Sequence, residues 1–192
     1  EASILCFADG RTIVPMESSQ DHKRIFEGDK GPNTGGMGAY SPAPVVTREL
    51  LSEVQRTILE PTMTAMGKEG CSYKGVLYVG LMITKDGPKV LEYNARFGDP
   101  ETQAVLPRMK TDLVDVMLAV INGKLRDIPL QWDKRPSACV VLASGGYPGK
   151  YESGLSIEGL DEAAEMKDTY IFHAGTSGAG CDIVTSGGRV LG

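Results

Sequence analysis

The chemistry in this chain is concentrated in one run, Val90 to Glu101, which reads V-L-E-Y-N-A-R-F-G-D-P-E. Glu92 and Asn94 stand two apart at the end of a β-prone, alternating stretch from Lys89 to Tyr93, a spacing that projects both side chains from one strand face. Their oxygens suit a hard cation. Mg²⁺ takes one or two ligands from protein and leaves the rest of its octahedron to water and phosphate oxygens, so metal-bound nucleotide is the guest that this pair fits. Arg96, always charged and able to grip a carboxylate or phosphate through two N–H groups, follows where the strand ends. A solvated strand face would carry E-x-N alone equally well; the length of the whole string is what lifts it above chance.

A second concentration precedes it. Gln20-Asp21-His22-Lys23-Arg24 crowds an acid, an imidazole and two cations ahead of Gly31-Pro-Asn-Thr-Gly-Gly-Met-Gly38. Charge runs are commonly solvated faces and glycine runs are commonly flexible loops. Here the glycines let backbone N–H groups turn towards an anion, and Ala39-Tyr40-Ser41-Pro42-Ala43-Pro44 stiffens the exit, which favours an anion-binding or substrate-covering loop. No Gly-Lys-Ser/Thr ends it, so it is not a Walker loop, and the strand-to-helix setting of a dinucleotide loop is missing.

Composition narrows the class. The 192 residues suffice for a real core, and a net charge of -5 argues against general nucleic-acid binding, which draws on a basic surface. Apolar runs fall short of the roughly 18 residues of a membrane span, and the opening E-A-S-I-L-C-F lacks the basic start of a signal peptide. Cys6, Cys71, Cys139 and Cys181 are scattered without a C-x-x-C pair, which suggests neither a zinc site nor a disulfide framework and fits a reduced, cytoplasmic setting.

The elements that must hold these residues can be read in order. Ala2–Ala8 and Thr12–Met16 are predicted strands about an Asp9-Gly10 turn. Thr47 should cap a helix burying Leu50, Leu51, Val54, Ile58 and Leu59; Pro61 kinks or resets it, and Met63 and Met66, gap-fillers of the core, carry it to Gly67 or Gly70. Gly75–Thr84 reads as a central strand covered on both faces, turned by Asp86-Gly87 into Lys89–Asn94. Thr111–Gly123 reads as a capped helix burying Leu113, Val116, Met117, Val120 and Ile121, and Leu125–Pro136, with the one tryptophan, as a linker. Beyond it, Ala138–Ala143 is expected as a buried strand and Gly145–Gly149 as a tight turn. Tyr170–Ala174 should be a strand holding a structural His173, and Ile183–Thr185 and Arg189–Leu191 should flank a Ser186–Gly188 hairpin turn. Both ends fall inside predicted strands, so an incomplete chain is expected.

Together, Gln20–Arg24, Gly31–Tyr40, Glu92–Gln103 and Phe172-His-Ala-Gly-Thr176 resemble the phosphoribosylamine:glycine ligase (glycinamide ribonucleotide synthetase) family, over almost the whole chain. The resemblance implies an α+β fold. Residues 1–124 would be the C-terminal subdomain of an ATP-grasp domain, an antiparallel sheet with helices; 125–135 would be a linker, and 136–192 part of a smaller, mostly β C-terminal domain. It implies an ATP-dependent ligase of purine biosynthesis that joins glycine to 5-phosphoribosylamine through glycyl phosphate, with Mg²⁺ or Mn²⁺. Glu92 and Asn94 would be the metal ligands, and Arg96 and Asp99 the catalytic residues. Asp21, His22, Lys23, Arg24, Gly35, Gly36, Gly38, Pro100 and Glu101 would bind substrate, and Met82 and Leu91 would line the adenine. One departure stands out: where many ATP-grasp enzymes place another acidic ligand on the preceding strand, this chain has Gly80. The family's N-terminal and lid segments would be further partners. A different ATP-grasp carboxylate–amine ligase, or a non-catalytic nucleotide-binding module, is the alternative.

Overall fold

The computed structural model describes residues 1–180 and 182–192; Cys181 lies outside the described residues. In chain order the elements are β1 (Ala2–Asp9), β2 (Ile13–Pro15), β3 (Gln20–Phe26), β4 (Lys30–Ser41), α1 (Arg48–Val54), α2 (Glu60–Lys68), β5 (Lys74–Thr84), β6 (Gly87–Asn94) and α3 (Glu101–Val105). They continue with α4 (Leu113–Asn122), β7 (Ser137–Val140), β8 (Leu142–Ala143), α5 (Leu160–Ala164), β9 (Thr176–Ala179), β10 (Asp182–Thr185) and β11 (Arg189–Leu191). The chain divides into two units: Glu1–Asp21 with Ala39–Ala138, and His22–Gly38 with Cys139–Gly192. Among the described residues no helix is long and apolar enough to cross a membrane.

The first unit is built on an antiparallel sheet ordered β2-β1-β5-β6. Side-chain alternation divides its residues between two cores. Ile4, Cys6 and Ala8 of β1 and Leu77, Val79 and Leu81 of β5 pack with Val54, Leu59 and Met63. On the opposite face Leu5, Phe7 and Tyr78 pack with Val105, Val116, Val120 and Leu125. The strand expected from Gly75 to Thr84 is therefore central and covered on both faces.

Local signals held at several places. At the Asp9-Gly10 turn, Asp9 Oδ1 accepts N–H groups from Arg11 (3.0 Å) and Thr12 (2.7 Å), and Oδ2 accepts that of Leu125 at 3.1 Å. Burial works to raise the pKa of this carboxyl, but donation from Thr12, Arg11 and Leu125 and the charge of Lys74 outweigh it and leave the pKa lowered. Thr47 caps α1 by accepting the N–H of Leu50 at 3.2 Å. A wide π-helical turn, Gln55–Leu59, joins α1 to α2 without a break, so Pro61 lies within one continuous helical run just past the widened turn. Leu125–Pro136, expected as a linker, begins with a 3₁₀ turn whose Leu125 is buried, and Ile128, Leu130 and Trp132 pack on the same core.

Other expectations change. In α4, capped by Asp112 and stopped by Gly123 at φ 69°, Val116, Ala119 and Val120 are buried. Met117 and Ile121, expected inside, are exposed, because the sheet covers a narrower stripe than the apolar spacing allows. Gly31–Gly38 is not a loop: it lies within β4, central in a sheet ordered β3-β4-β7, and side chains also engage several of its backbone groups. Ala138–Ala143 is two strands in different sheets, with Val140 and Leu142 exposed. Tyr170–Ala174 is reduced to a bridge between His173 and Leu191, although Phe172 and Gly192 exchange both backbone bonds. His173 Nδ1 lies 3.1 Å from Thr176 Oγ1. β10 pairs with β9, and β11 with β8, so Ser186–Gly188 connects two sheets instead of closing a hairpin.

Candidate active site

In the first unit the site is organised by the β5–β6 hairpin. Thr84 to Leu81 pair regularly with Gly87 to Val90, but Gly80 then pairs with Glu92, so Leu91 is one extra residue at a bulge. Tyr93 and Asn94 follow opposite Val79 and Tyr78. Tyr93 faces α2, where its hydroxyl lies 2.9 Å from Thr62 Oγ1. Glu92 and Asn94 consequently share the other face, opposite Gly80 and Tyr78, as the E-x-N spacing predicts.

Both side chains supply oxygen donors, and among the described residues neither is engaged in a hydrogen bond or ion pair. A Cβ at Gly80 would stand 3.2 Å from Glu92 Cγ, so the bare backbone there seats the carboxylate stem. Among the described residues no group of three or more His, Cys, Asp and Glu side chains is placed to hold a metal. The donor set nevertheless suits a hard cation that draws its remaining ligands from phosphate and water. Met82, half-buried, follows Gly80 along the same face of β5, and Leu91, 52% exposed, stands at the bulge beside it.

The turn after β6 is tied down from within. Arg96 Nη1 donates to the Phe97 carbonyl at 2.8 Å, and Gln103 Nε2 donates to Asp99 Oδ1 at 3.1 Å. The Gly98 carbonyl accepts both the N–H of Thr102, at 3.1 Å, and its hydroxyl. Pro100 is fully buried and Glu101 is 3% exposed. The Tyr78 hydroxyl donates to Glu101 Oε1 at 2.8 Å and lies 2.8 Å from Ser3 Oγ, which also reaches Glu101 Oε1 at 3.5 Å. Burial above all pushes the Tyr78 phenol up, so it stays protonated. Sequence reasoning passed over Ser3 and Tyr78, whose signal was a hydroxyl inside each of two otherwise apolar strands.

In the second unit β3 and β4 carry the basic and glycine-rich residues. His22 and Arg24 are exposed, whereas Lys23 is half-buried. Arg24 Nη1 donates to the Gly31 carbonyl at 2.6 Å, and Thr34 Oγ1 donates to the Lys23 carbonyl at 2.8 Å. The Gly36 N–H is taken by Thr34 Oγ1 (3.0 Å) and that of Gly35 by the Tyr147 hydroxyl (3.3 Å). Arg189 Nη1 donates to the carbonyls of Gly35 and Gly36 at 3.0 and 3.4 Å. Gly38 runs so near β7 that a Cβ would be 2.8 Å from the Cys139 carbonyl oxygen. Tyr147 and Arg189, more than a hundred residues away in sequence, had no local signal. Thus Glu92, Asn94, Met82, Leu91, Arg96, Asp99, Pro100 and Glu101 gather on one hairpin and its turn, with Asp21 elsewhere in that unit; His22, Lys23, Arg24, Gly35, Gly36 and Gly38 gather on the other.

Comparison with known proteins gives this arrangement a family. Residues 1–102 match the family model of the phosphoribosylglycinamide synthetase ATP-grasp (A) domain, and residues 137–192 match that of the phosphoribosylglycinamide synthetase C domain. The chain is 52% identical, over all its 192 residues, to a phosphoribosylamine–glycine ligase of Caldanaerobacter subterraneus subsp. tengcongensis, spanning 45% of that protein. It is 56% identical over its full length to 19% of the trifunctional purine biosynthetic protein adenosine-3 of Gallus gallus. Among solved structures, phosphoribosylamine–glycine ligase from Thermotoga maritima matches all of the chain and 46% of its own with a TM-score of 0.83 at 35% identity. The chain therefore spans less than half the length of these relatives. With one family model covering more than half of its residues and a second matching its last 56, this chain belongs to the phosphoribosylglycinamide synthetase family and has an ATP-grasp fold.

Proposed function

We propose that this chain is part of a longer, ADP-forming phosphoribosylamine–glycine ligase, and that it carries the metal and glycine-activating residues. The observation that supports this most directly is the projection of Glu92 and Asn94 from one strand face, unengaged, next to the turn bearing Arg96 and Asp99. Magnesium or manganese held by Glu92 and Asn94 would offset charge on the nucleotide phosphates. Met82 and Leu91 contact the adenine.

Glycine's carboxylate is a poor electrophile and must be activated. One of its oxygens attacks the γ-phosphorus of ATP, the bond to the β-phosphate oxygen breaks, and ADP leaves, giving glycyl phosphate. The amine of 5-phosphoribosylamine then attacks the acyl carbon and loses a proton, and inorganic phosphate departs with the C–O bonding electrons. Arg96 stabilises the charge that develops on the transferred phosphoryl group, and Asp99 engages the glycine end from a turn that the buried Pro100 and Glu101 support from within. Asp21, His22, Lys23, Arg24 and the Gly35, Gly36 and Gly38 strand engage the substrate phosphates. Holding two reactants together removes a barrier of about 7 to 11 kcal/mol at best. The setting is reducing and cytoplasmic, in keeping with free thiols at Cys6 and Cys71.

The test is ADP release from Mg-ATP by the full-length protein, given glycine and phosphoribosylamine made in situ. Release that needs both substrates, falls at least about 100-fold in Glu92→Gln, and is negligible for the 192-residue chain alone is the expected result. Glycine-independent release, or an unaffected Glu92→Gln enzyme, would overturn it.

A further inference from the structure

We infer that Tyr78 and Ser3 are positioning residues, which act through the buried Glu101 to fix the Arg96–Asp99 turn against the strand that carries Asn94. This deepens the ligase reading and rests on it.

The proton balance gives the network a direction. Tyr78 has one hydroxyl proton and donates it to Glu101 Oε1 at 2.8 Å, so in the 2.8 Å contact with Ser3 it is Ser3 that donates. A carboxylate then receives, in apolar surroundings, a bond from a phenol whose own oxygen is polarised by a second hydroxyl. All three groups are buried, at 2%, 5% and 3% exposure for Ser3, Tyr78 and Glu101, so none of them is open to a substrate molecule. What they touch is the turn. A Cβ on Gly98 would lie 2.5 Å from Glu101 Oε2 and 3.1 Å from Tyr78 Cε2, so the Gly98 backbone rests directly on this pair. From the other side Thr102 holds the Gly98 carbonyl. Gly98 adjoins Asp99, and Tyr78 pairs across the sheet with Asn94. One hydroxyl thus links the metal-ligand strand, through Glu101, to the turn bearing the candidate catalytic groups. Ser3 Oγ reaches Glu101 Oε1 only at 3.5 Å, so losing the 2.8 Å bond from Tyr78 weakens the hold on this buried carboxylate.

The test uses the full-length ligase. Tyr78→Phe keeps the ring and removes the donor; it should lower kcat for the glycine-dependent reaction about 10- to 100-fold, the cost of a displacement near 1 Å, while the KM for ATP stays within twofold. Glu101→Ala should match it. Glu101→Gln, which keeps an acceptor for Tyr78, should recover at least tenfold of what Glu101→Ala loses. Ser3→Ala leaves the Tyr78–Glu101 bond in place and should lower kcat only several-fold. It carries the test if Tyr78→Phe does not fold. A folded Tyr78→Phe enzyme with wild-type kcat would overturn the proposal, as would Glu101→Gln no better than Glu101→Ala, because the carboxylate would then be acting on substrate itself. With Tyr78→Phe unfolded, Ser3→Ala at wild-type kcat would also overturn it. Failure of the ligase reading is separate: the unmodified enzyme would show no glycine-dependent ADP release.

Discussion

Asp9 shows how a residue far from any reaction can be tied to folding. Its carboxylate satisfies N–H groups of Arg11, Thr12 and Leu125, closing its own turn and fastening residues 116 positions onward. Asp9→Ala is expected to destabilise the full-length protein by about 1.5 to 3 kcal/mol, the range for hydrogen bonds to a charged group, read from denaturant midpoints. The pH dependence has a definite sign. Because the folded-state pKa is lowered, the stabilisation is present above the unfolded value of about 3.9 and is lost as pH falls through the folded one. Asp9→Asn should therefore flatten the stability profile below about pH 4. The Asp9-Gly10 turn was legible in sequence, as was the shared strand face of Glu92 and Asn94, because both patterns lie within a few residues. The Ser3–Tyr78–Glu101 chain was not, since its members are 75 and 23 positions apart and meet only when β1, β5 and α3 assemble.

At the scale of elements, strands with unbroken apolar runs and helices with strong caps were readable, and what failed were pairings. Gly31–Gly38 carries loop-like composition, yet β3 and β7 supply it with partners on both sides, a decision made by residues that no local window contains. Ser186–Gly188 carries a turn signal, but Thr176–Ala179 competed successfully for β10. The β6 bulge is a similar case. Strict alternation would place Val90 on the face of Glu92 and Asn94, whereas the extra Leu91 puts Lys89, opposite Met82, there. The hairpin therefore has a reading frame that is reset at Leu91. Deleting Leu91 leaves Glu92 opposite Gly80 and both candidate ligands on their face. Deleting Tyr93 moves Asn94 opposite Val79, towards α2. Stabilisation of the full-length protein against heat by Mg-ADP should survive the first deletion and disappear with the second.

For the whole molecule, the two family models meet the chain on either side of residues 103–136, as a simple succession of domains would. Such a succession was expected from the sequence, with a linker at 125–135. The interleaving was not, because it depends on where a hairpin finds its partners. Residues 22–38 belong with 139–192, although residues 1–21 and 39–138 form the other unit. The backbone passes from one unit to the other at three places, and a single cut between residues 125 and 136 falls within the first unit, ahead of the last passage. Each piece keeps a share of the second unit. That share is joined by the amide of Val141 donating to the Met37 carbonyl, by Arg189 on Gly35 and Gly36, and by Tyr147. A chain nicked by protease in that segment should behave as a split protein whose halves co-elute under native conditions and part only in denaturant. Separation of the halves without denaturant would show that the continuous backbone, and not this shared unit, keeps them together.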